Sequence, residues 1–183
     1  IGHYASFNHA NTLRDNMHTI DRQKEQLEIS SIKFLKKIDI AWLFESKRIN
    51  FNSKIKYSLI VPGGSKKRTN KRIPYKVFYH IIHTLLEKKI LPILIGSYDD
   101  IEICSSLEKI HPSIKNLCAK TNILDIAKLS KNSTVSIGND TGPIHVIANG
   151  DMPTFVFFTK HSNPKLCAPV GKNVKIFNYK NNF

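Results

Sequence analysis

Apolar residues in this chain come in short runs, separated by longer segments in which they recur every three or four positions. The runs Tyr57–Val61 and Thr154–Phe158 lack the strict alternation of a half-buried strand, which favours strands covered on both faces. After Pro74, a residue suited to the first turn of a helix, apolar residues follow at helical spacing: Val77, Ile81, Ile82, Leu85 and Leu86. The pattern therefore predicts strands alternating with helices.

This alternation continues to the end of the chain and predicts a parallel sheet with helices on both faces, a doubly wound α/β fold. The predicted strands are Tyr57–Val61, Ile90–Ile95, Ile114–Cys118, Thr134–Ile137, Thr154–Phe158 and Val174–Phe177. The predicted helices run from Pro74 to Leu86, from Asp99 to Ile110, from the cap Asn122 to Lys131, and from Thr141 to Asn149. Upstream, we expect a helix within Ile20–Leu35, continuous or broken near Ser30, and a strand at Ile38–Phe44.

The composition adds a strong positive charge to this picture. The 183 residues include 28 basic and 14 acidic side chains, a net charge of +14, which implies an anionic partner. Nucleic acid, acidic lipid headgroups and phosphorylated small molecules all fit that charge. No apolar run approaches the roughly 20 residues of a membrane span. Three cysteines without metal-site spacing suit a reducing cytoplasm.

The turn after the fourth predicted strand, Gly138–His145, carries residues suited to binding an anion. In an open parallel sheet, ligands bind beyond the carboxyl ends of the strands. A helix beginning near Thr141 exposes backbone N–H groups there, Gly142 lets a phosphate approach closely, and His145 follows one turn later. Taken alone, these residues are explained equally well by a helix cap, at Asp140 or Thr141, and a core histidine.

Two further turns lie at the same predicted edge of the sheet. The segment Pro62–Pro74 is a glycine turn followed by a run rich in Lys and Arg, which fits either phosphate contact or a solvated basic loop. Its spacing is not that of a Walker P-loop. After the second strand, Asp99 and Asp100 are placed either to meet ribose hydroxyls or to cap the next helix. The sequence has no Gly-x-Gly-x-x-Gly fingerprint, Gly-x-Ser-x-Gly elbow or metal-ligand cluster.

These motifs, in this order, resemble the lipopolysaccharide heptosyltransferases, the ADP-heptose-using glycosyltransferases of family 9. The family's Asp-Thr-Gly-x-x-His motif corresponds to Asp140–His145, and its Gly-x-Pro strand start is similar to Gly150–Pro153. Its Lys-Arg-Trp-Pro segment resembles Lys71–Pro74, with Ile replacing the aromatic residue. Leu117–Thr121 resembles Leu-x-Gly-x-Thr with Ala in place of Gly, and His18–Arg22 resembles His-x-x-Asp/Glu-Arg. The resemblance covers nearly the whole chain.

The resemblance implies a GT-B architecture, in which two Rossmann-like domains face a cleft. Residues 1–50 are then a remnant of the N-terminal acceptor domain with a linker, and residues 51–183 form the Rossmann-like donor-binding domain. The family's proposed general base, an Asp of the first domain, has no counterpart here, and members usually continue beyond Phe183. We therefore expect a fragment, or the product of a split or decayed gene, that binds donor and does not transfer sugar by itself.

Carried over residue by residue, the resemblance implies one catalytic cation and a set of donor-binding residues. Lys71 contacts donor phosphate and balances the charge that develops on the leaving diphosphate. The implied donor-binding residues are Ser65, Lys71, Asp99, Asp140, Thr141, Gly142 and His145. Preorganised donors and a cation aimed at a leaving diphosphate lower the barrier without a metal, so no cofactor is expected and the nucleotide sugar is a substrate.

The implied partners are ADP-heptose or a similar nucleotide sugar and, as acceptor, lipopolysaccharide core or lipid A-Kdo. The implied location is the cytoplasm, with peripheral contact to the acidic inner face of the inner membrane. No specific nucleic acid is expected. Two alternatives stay open at this point: a domain similar to the nucleotide-sugar epimerases, and a non-catalytic basic module that binds nucleotide or nucleic acid.

Overall fold

The computed structural model describes residues 14–33, 38–49 and 54–180. They fall into two compact units, the smaller within Ile1–Ile38 and Asn163–Cys167 and the larger within Asp39–Ser162 and Ala168–Phe183. Of the helices in the described ranges, none is long and apolar enough to cross a bilayer.

The smaller unit contains helix α1, Thr19–Ile29, preceded by a 3-10 turn at Arg14–Asn16. The hydroxyl of Thr19 donates to the Leu166 carbonyl at 3.0 Å, which ties α1 to the short helix Pro164–Cys167 of the same unit. Ser30 is the C-terminal cap of α1, so the helix ends at Ile29 and does not continue through Ser30. The end of the predicted range, beyond residue 33, lies outside the described residues.

The larger unit is built on a six-stranded sheet in which every strand pair is parallel, in the order β3-β2-β1-β4-β5-β6. The strands are β1 Tyr57–Val61, β2 Leu91–Leu94, β3 Lys115–Asn116, β4 Val135–Asn139, β5 Thr154–Phe158 and β6 Val174–Asn178. All five residues of β1 are buried, as the unbroken apolar run predicted. The predicted doubly wound α/β fold is confirmed.

Four helices of the larger unit follow the strands, as predicted: α2 Tyr75–Glu87, α3 Ile101–Glu108, α4 Ile123–Ser130 and α5 Gly142–Ile147. Helix α2 buries Phe78, Ile82 and Leu85 against the sheet. It ends in a Schellman motif, in which the Ile90 N–H donates to the Leu85 carbonyl at 2.9 Å. Lys89 takes the left-handed position of that motif, with φ 57°, where glycine is usual.

The strand order places β1 beside β4, and this junction decides where a ligand can bind. The chain runs outward from β1 through β2 to β3, then returns to β4 and continues to β6 on the other side. The loops that follow β1 and β4 therefore diverge, which leaves a crevice beyond the carboxyl ends of these two strands. Such switch points are the usual ligand sites of open α/β sheets.

The strand predicted at Ile38–Phe44 is wrong, because Ala41–Phe44 forms a 3-10 helix. The Asp39 carboxylate accepts a hydrogen bond from the Ala41 N–H at 2.9 Å, which starts a turn in place of an extended chain. The segment packs on the end of α4, where the Lys131 ammonium lies 4.6 Å from the Phe44 ring centre. Residues 39–49 thus belong to the larger unit, upstream of the expected boundary at residue 51, and the assignment of the preceding sequence to a first domain stays a prediction.

Candidate functional site

A cavity of about 430 Å³ lies at the switch point, between the loops that follow β1 and β4. The residues that line it are Gly63, Gly64, Ser65, Lys67, Arg68, Lys71, Arg72, Asn139, Asp140, Thr141 and Gly142. Five of the sequence-predicted site residues are in this lining: Ser65, Lys71, Asp140, Thr141 and Gly142. The structure therefore brings together two turns that lie some seventy residues apart in the sequence.

Asn139, the last residue of β4, fixes the shape of this cavity. Its side chain is fully buried, and its amide donates to the carbonyls of Pro62 and Gly63 at 2.7 and 3.1 Å. Its amide oxygen accepts from the Ile73 N–H at 3.1 Å. One side chain thus satisfies both ends of the basic loop that joins β1 to α2. We did not single out Asn139 from the sequence.

Asp140, the next residue, is the centre of an ionic cluster that we call the Asp140 cluster, made of Asp140, Lys71, Ser162 and His145. The Lys71 ammonium lies 2.9 Å from Asp140 Oδ2, and the Ser162 hydroxyl donates to the same oxygen at 2.6 Å. His145 Nε2 lies 3.6 Å from Asp140 Oδ1. The side chain of Asp140 is 6% exposed and that of Lys71 is 19% exposed. The pair is therefore largely removed from water.

Burial alone would raise the pKa of Asp140, since it disfavours the charged form. The close His145 side chain, hydrogen bonds from Ser162 and Lys71, and the charge of Lys71 outweigh that effect and hold the pKa well below its usual range. Asp140 is thus a firmly ionised carboxylate. Since a carboxylate repels phosphate, its contribution to an anion site is to hold the Lys71 ammonium in place.

Thr141 and Gly142 form the start of α5 at the mouth of the cavity. Thr141 occupies the N-cap position by its backbone angles, but its hydroxyl makes no capping hydrogen bond. A Cβ placed on Gly142 would meet nothing within 4 Å, so this glycine faces open space. Helix α5 has six residues and continues as a 3-10 turn at Ala148–Gly150, which is shorter than the predicted helix. His145 is 42% exposed and is not a core histidine.

The basic loop forms a 3-10 helix, Lys66–Lys71, which the Ser65 hydroxyl caps by accepting from the Lys67 N–H at 3.3 Å. The Arg72 guanidinium donates to the Gly64 carbonyl and lies 3.4 Å from Asp100 Oδ1. Arg72 therefore holds the glycine turn from one side of the cavity. Sequence analysis had placed it in the basic run without a separate role.

Asp99 and Asp100 lie outside the cavity lining, and the structure gives them different roles. Asp100 is buried and accepts hydrogen bonds from the N–H groups of Gly64 and Ser97, both at 2.8 Å. It completes a capping box with Ser97 at the 3-10 turn Tyr98–Asp100, which leads into α3, and it supports the glycine turn. Its role is therefore that of the capping alternative. Asp99 is 44% exposed and lies 3.4 Å from Lys66, so the ribose contact expected of it stays a prediction.

The loop after β5 contacts two segments of the site, the basic loop and Asp140, and sequence analysis missed it. Ser162 belongs to the Asp140 cluster, and the Thr159 hydroxyl donates to the Asn70 carbonyl at 2.9 Å. Both residues follow the carboxyl end of a strand that neighbours β4. That position was the available signal, because polar residues at adjacent strand ends meet at one edge. Within the described residues, no group of three or more His, Cys, Asp or Glu side chains is arranged to hold a metal.

The model of glycosyltransferase family 9 (heptosyltransferase) matches residues 10–182. The chain belongs to glycosyltransferase family 9. The resemblance drawn from the motifs is thereby confirmed, and the cavity lies in the segment that carries them. No curated protein sequence matches this family 9 chain significantly.

Solved structures of family 9 members share the fold at low sequence identity. E. coli heptosyltransferase WaaC with ADP superposes with a TM-score of 0.70 at 19% identity, over 90% of this chain and 51% of that one. A family 9 glycosyltransferase from Veillonella parvula DSM 2008 gives 0.68 at 17%, over 93% and 50%. E. coli ADP-heptose lps heptosyltransferase II gives 0.62 at 20%, over 69% and 39%. The chain thus spans about half the length of these proteins or less, and the matches confirm its Rossmann-like fold.

Proposed function

We propose that the cavity binds the diphosphate of a nucleotide sugar and that this chain supplies the donor-binding half of a heptosyltransferase. The observation that carries the proposal is the lining of the cavity. Four cationic side chains, Lys67, Arg68, Lys71 and Arg72, surround a space at the β1–β4 switch point. Among the described residues that line it, Asp140 is the only acidic one. A site with this charge selects an anion, and its position in the sheet favours a nucleotide.

The chemistry follows from where charge develops during transfer. The bond between the sugar carbon and the β-phosphate oxygen breaks, and its electron pair stays on that oxygen. The acceptor hydroxyl oxygen bonds to the sugar carbon and gives its proton to a base, which the family resemblance assigns to a first-domain carboxylate. In this proposal, Lys71 stabilises the leaving diphosphate, as preorganised charges at developing anions do. Ser65, Thr141, Gly142 and His145 contact the diphosphate and nearby sugar.

The identity of donor and acceptor is proposed from the family. Structures of WaaC contain ADP and ADP-2-deoxy-2-fluoro heptose, which supports ADP-heptose or a similar sugar nucleotide as the donor here. The acceptor proposed is lipopolysaccharide core or lipid A-Kdo, and the ribose contact proposed is Asp99. An acceptor of this kind lies at an acidic membrane surface in contact with the cytoplasm, where the net charge of +14 favours peripheral binding.

Calorimetric titration with ADP tests the proposal most directly. Wild-type protein is expected to bind ADP, and Lys71→Ala to bind about tenfold or more weakly, because a charge-assisted contact is lost. Lys76→Ala is the matched control, since Lys76 lies just after the basic loop, in the first turn of α2, and is not among the residues that line the cavity. Absence of ADP binding by folded protein, or equal binding by Lys71→Ala and wild type, would refute the assignment.

A further inference from the structure

The four cations of the cavity are not equivalent, because two of them already have anionic partners. Lys71 is paired with Asp140 at 2.9 Å, and both side chains are largely buried. Arg72 donates to the Gly64 carbonyl and lies 3.4 Å from the buried Asp100 carboxylate. Each of these two charges is balanced locally before any ligand arrives.

Lys67 and Arg68 form the second class. Both line the cavity from the 3-10 helix, both are exposed, and within the described residues neither has an acidic side chain within ion-pair distance. Arg68 interrupts the helical backbone of that turn, with φ −135° and ψ 49°. The uncompensated positive charge of the cavity lining therefore comes from these two residues.

Two uncompensated positive charges match the two negative charges of an intact sugar nucleotide. Each of its two phosphates is esterified on the outer side and carries a single negative charge. When the sugar ester is broken, the terminal phosphate acquires most of a further charge, because the second pKa of a phosphate monoester is about 6. Donor and product thus differ at the cavity by nearly one charge.

We propose a division of roles that rests on the function proposed above: Lys67 and Arg68 bind the two charges of the intact donor, and Lys71 meets the further charge of the released diphosphate. Lys71 cannot serve the donor equally, because Asp140 competes for its ammonium. A terminal phosphate dianion competes better with Asp140 than an esterified phosphate does. Asp140 remains stabilised when Lys71 turns to the ligand, since Ser162 and His145 still contact it at 2.6 and 3.6 Å.

Two ligands separate these roles: ADP and its β-methyl ester, which have the same nucleoside and diphosphate but differ in the terminal charge. Calorimetric titrations at about pH 8, where the terminal phosphate of ADP is fully ionised, compare them on each variant. We expect Lys67→Ala and Arg68→Ala to lower the affinity for both ligands by a similar factor of about ten. Lys71→Ala is expected to lose about tenfold for ADP and to change little for the ester.

The outcomes distinguish this inference from the proposed function. If wild type binds ADP but Lys67→Ala and Arg68→Ala both behave like the control Lys76→Ala, the division of roles fails and donor binding stands. If Lys71→Ala lowers the affinity for both ligands by the same factor, Lys71 contacts the intact donor as strongly as the product, and the division of roles also fails. If folded wild type binds neither ligand, the proposed function fails and the inference with it. Should Lys71→Ala unfold, the double variant with Asp140→Asn removes both charges and is expected to keep the same selective loss.

Discussion

Replacing Asp140 by Asn removes the charge at the centre of the Asp140 cluster while keeping the shape of the side chain. A hydrogen bond to a charged group contributes about 1.5–3 kcal/mol, against about 0.5–1.5 kcal/mol for a neutral one. Asp140 accepts such bonds from Lys71 at 2.9 Å and from Ser162 at 2.6 Å. Each bond should weaken by about 1–1.5 kcal/mol when the carboxylate becomes an amide, so the substitution should lower the free energy of unfolding by about 2–3 kcal/mol. This loss is smaller than the roughly 3–5 kcal/mol expected when a fully buried ion pair is broken, because the Lys71 side chain keeps some access to water.

Urea unfolding of wild type and Asp140→Asn as a function of pH measures this effect. The folded-state pKa of Asp140 lies below the ordinary value of about 3.9, so its contribution to stability is complete above that value. The contribution is lost as the pH falls further, toward the folded-state pKa, and the variant should therefore lose less stability in acid than wild type.

Asp99→Asn is the control for this experiment, because Asp99 and its partner Lys66 are 44% and 71% exposed. An exposed pair of this kind contributes little, and we expect a change within about 0.5 kcal/mol. If Asp140→Asn is as stable as Asp99→Asn at neutral pH, or if its acid dependence equals that of wild type, the account of the Asp140 cluster is wrong.

Three further substitutions test the end of α2 and the frame of the site. Lys89→Gly should relieve about 1–2 kcal/mol of left-handed backbone strain and cost about 0.4–1 kcal/mol through the greater entropy of the unfolded chain. The free energy of unfolding measured in urea should therefore rise. Lys88→Gly is the control, because Lys88 has φ −82° and its replacement should lower the free energy of unfolding. Gly63→Ala places a Cβ in collision with the buried Asp100 carboxylate and should lower the free energy of unfolding by about 1–3 kcal/mol. An unchanged free energy of unfolding would contradict the close packing of Gly63 on Asp100. Asn139→Ala should weaken ADP binding in calorimetry by loosening both ends of the basic loop, and an unaltered affinity would contradict that role.

Strands β1 and β2 could be predicted from the sequence because nearly all their residues are buried, and a strand covered on both faces shows as an apolar run. The edge strands β3 and β6 are partly exposed. Tyr57–Val61 and Thr154–Phe158 have the predicted bounds. The failure at Ile38–Phe44 has the same origin, since its apolar residues serve a 3-10 turn that packs on α4. Periodicity over so few residues does not separate a strand from a turn, and the deciding contact, Lys131 on Phe44, is distant in sequence.

The position of the candidate site could be predicted from the sequence for a different reason. Parallel strands end at one edge, so residues just after β1 and β4 were expected to meet, and they line one cavity. The pairing of Lys71 with Asp140 was not foreseeable, because both had been interpreted as ligands of the diphosphate. Ser162 was missed because its role depends on the geometry of the loop after β5. Family motifs indicated which residues matter, whereas only the contacts distinguish a binding cation from one that is already paired.

The amide of Asn139 has a consequence for experiments in salt. Its bonds to Pro62, Gly63 and Ile73 join neutral groups inside the protein, where added ions neither reach nor screen them. The cavity should therefore keep its shape at high ionic strength while the attraction of its cations for a ligand weakens. A salt titration of ligand affinity would then report the electrostatic part of recognition separately from the framework that carries it.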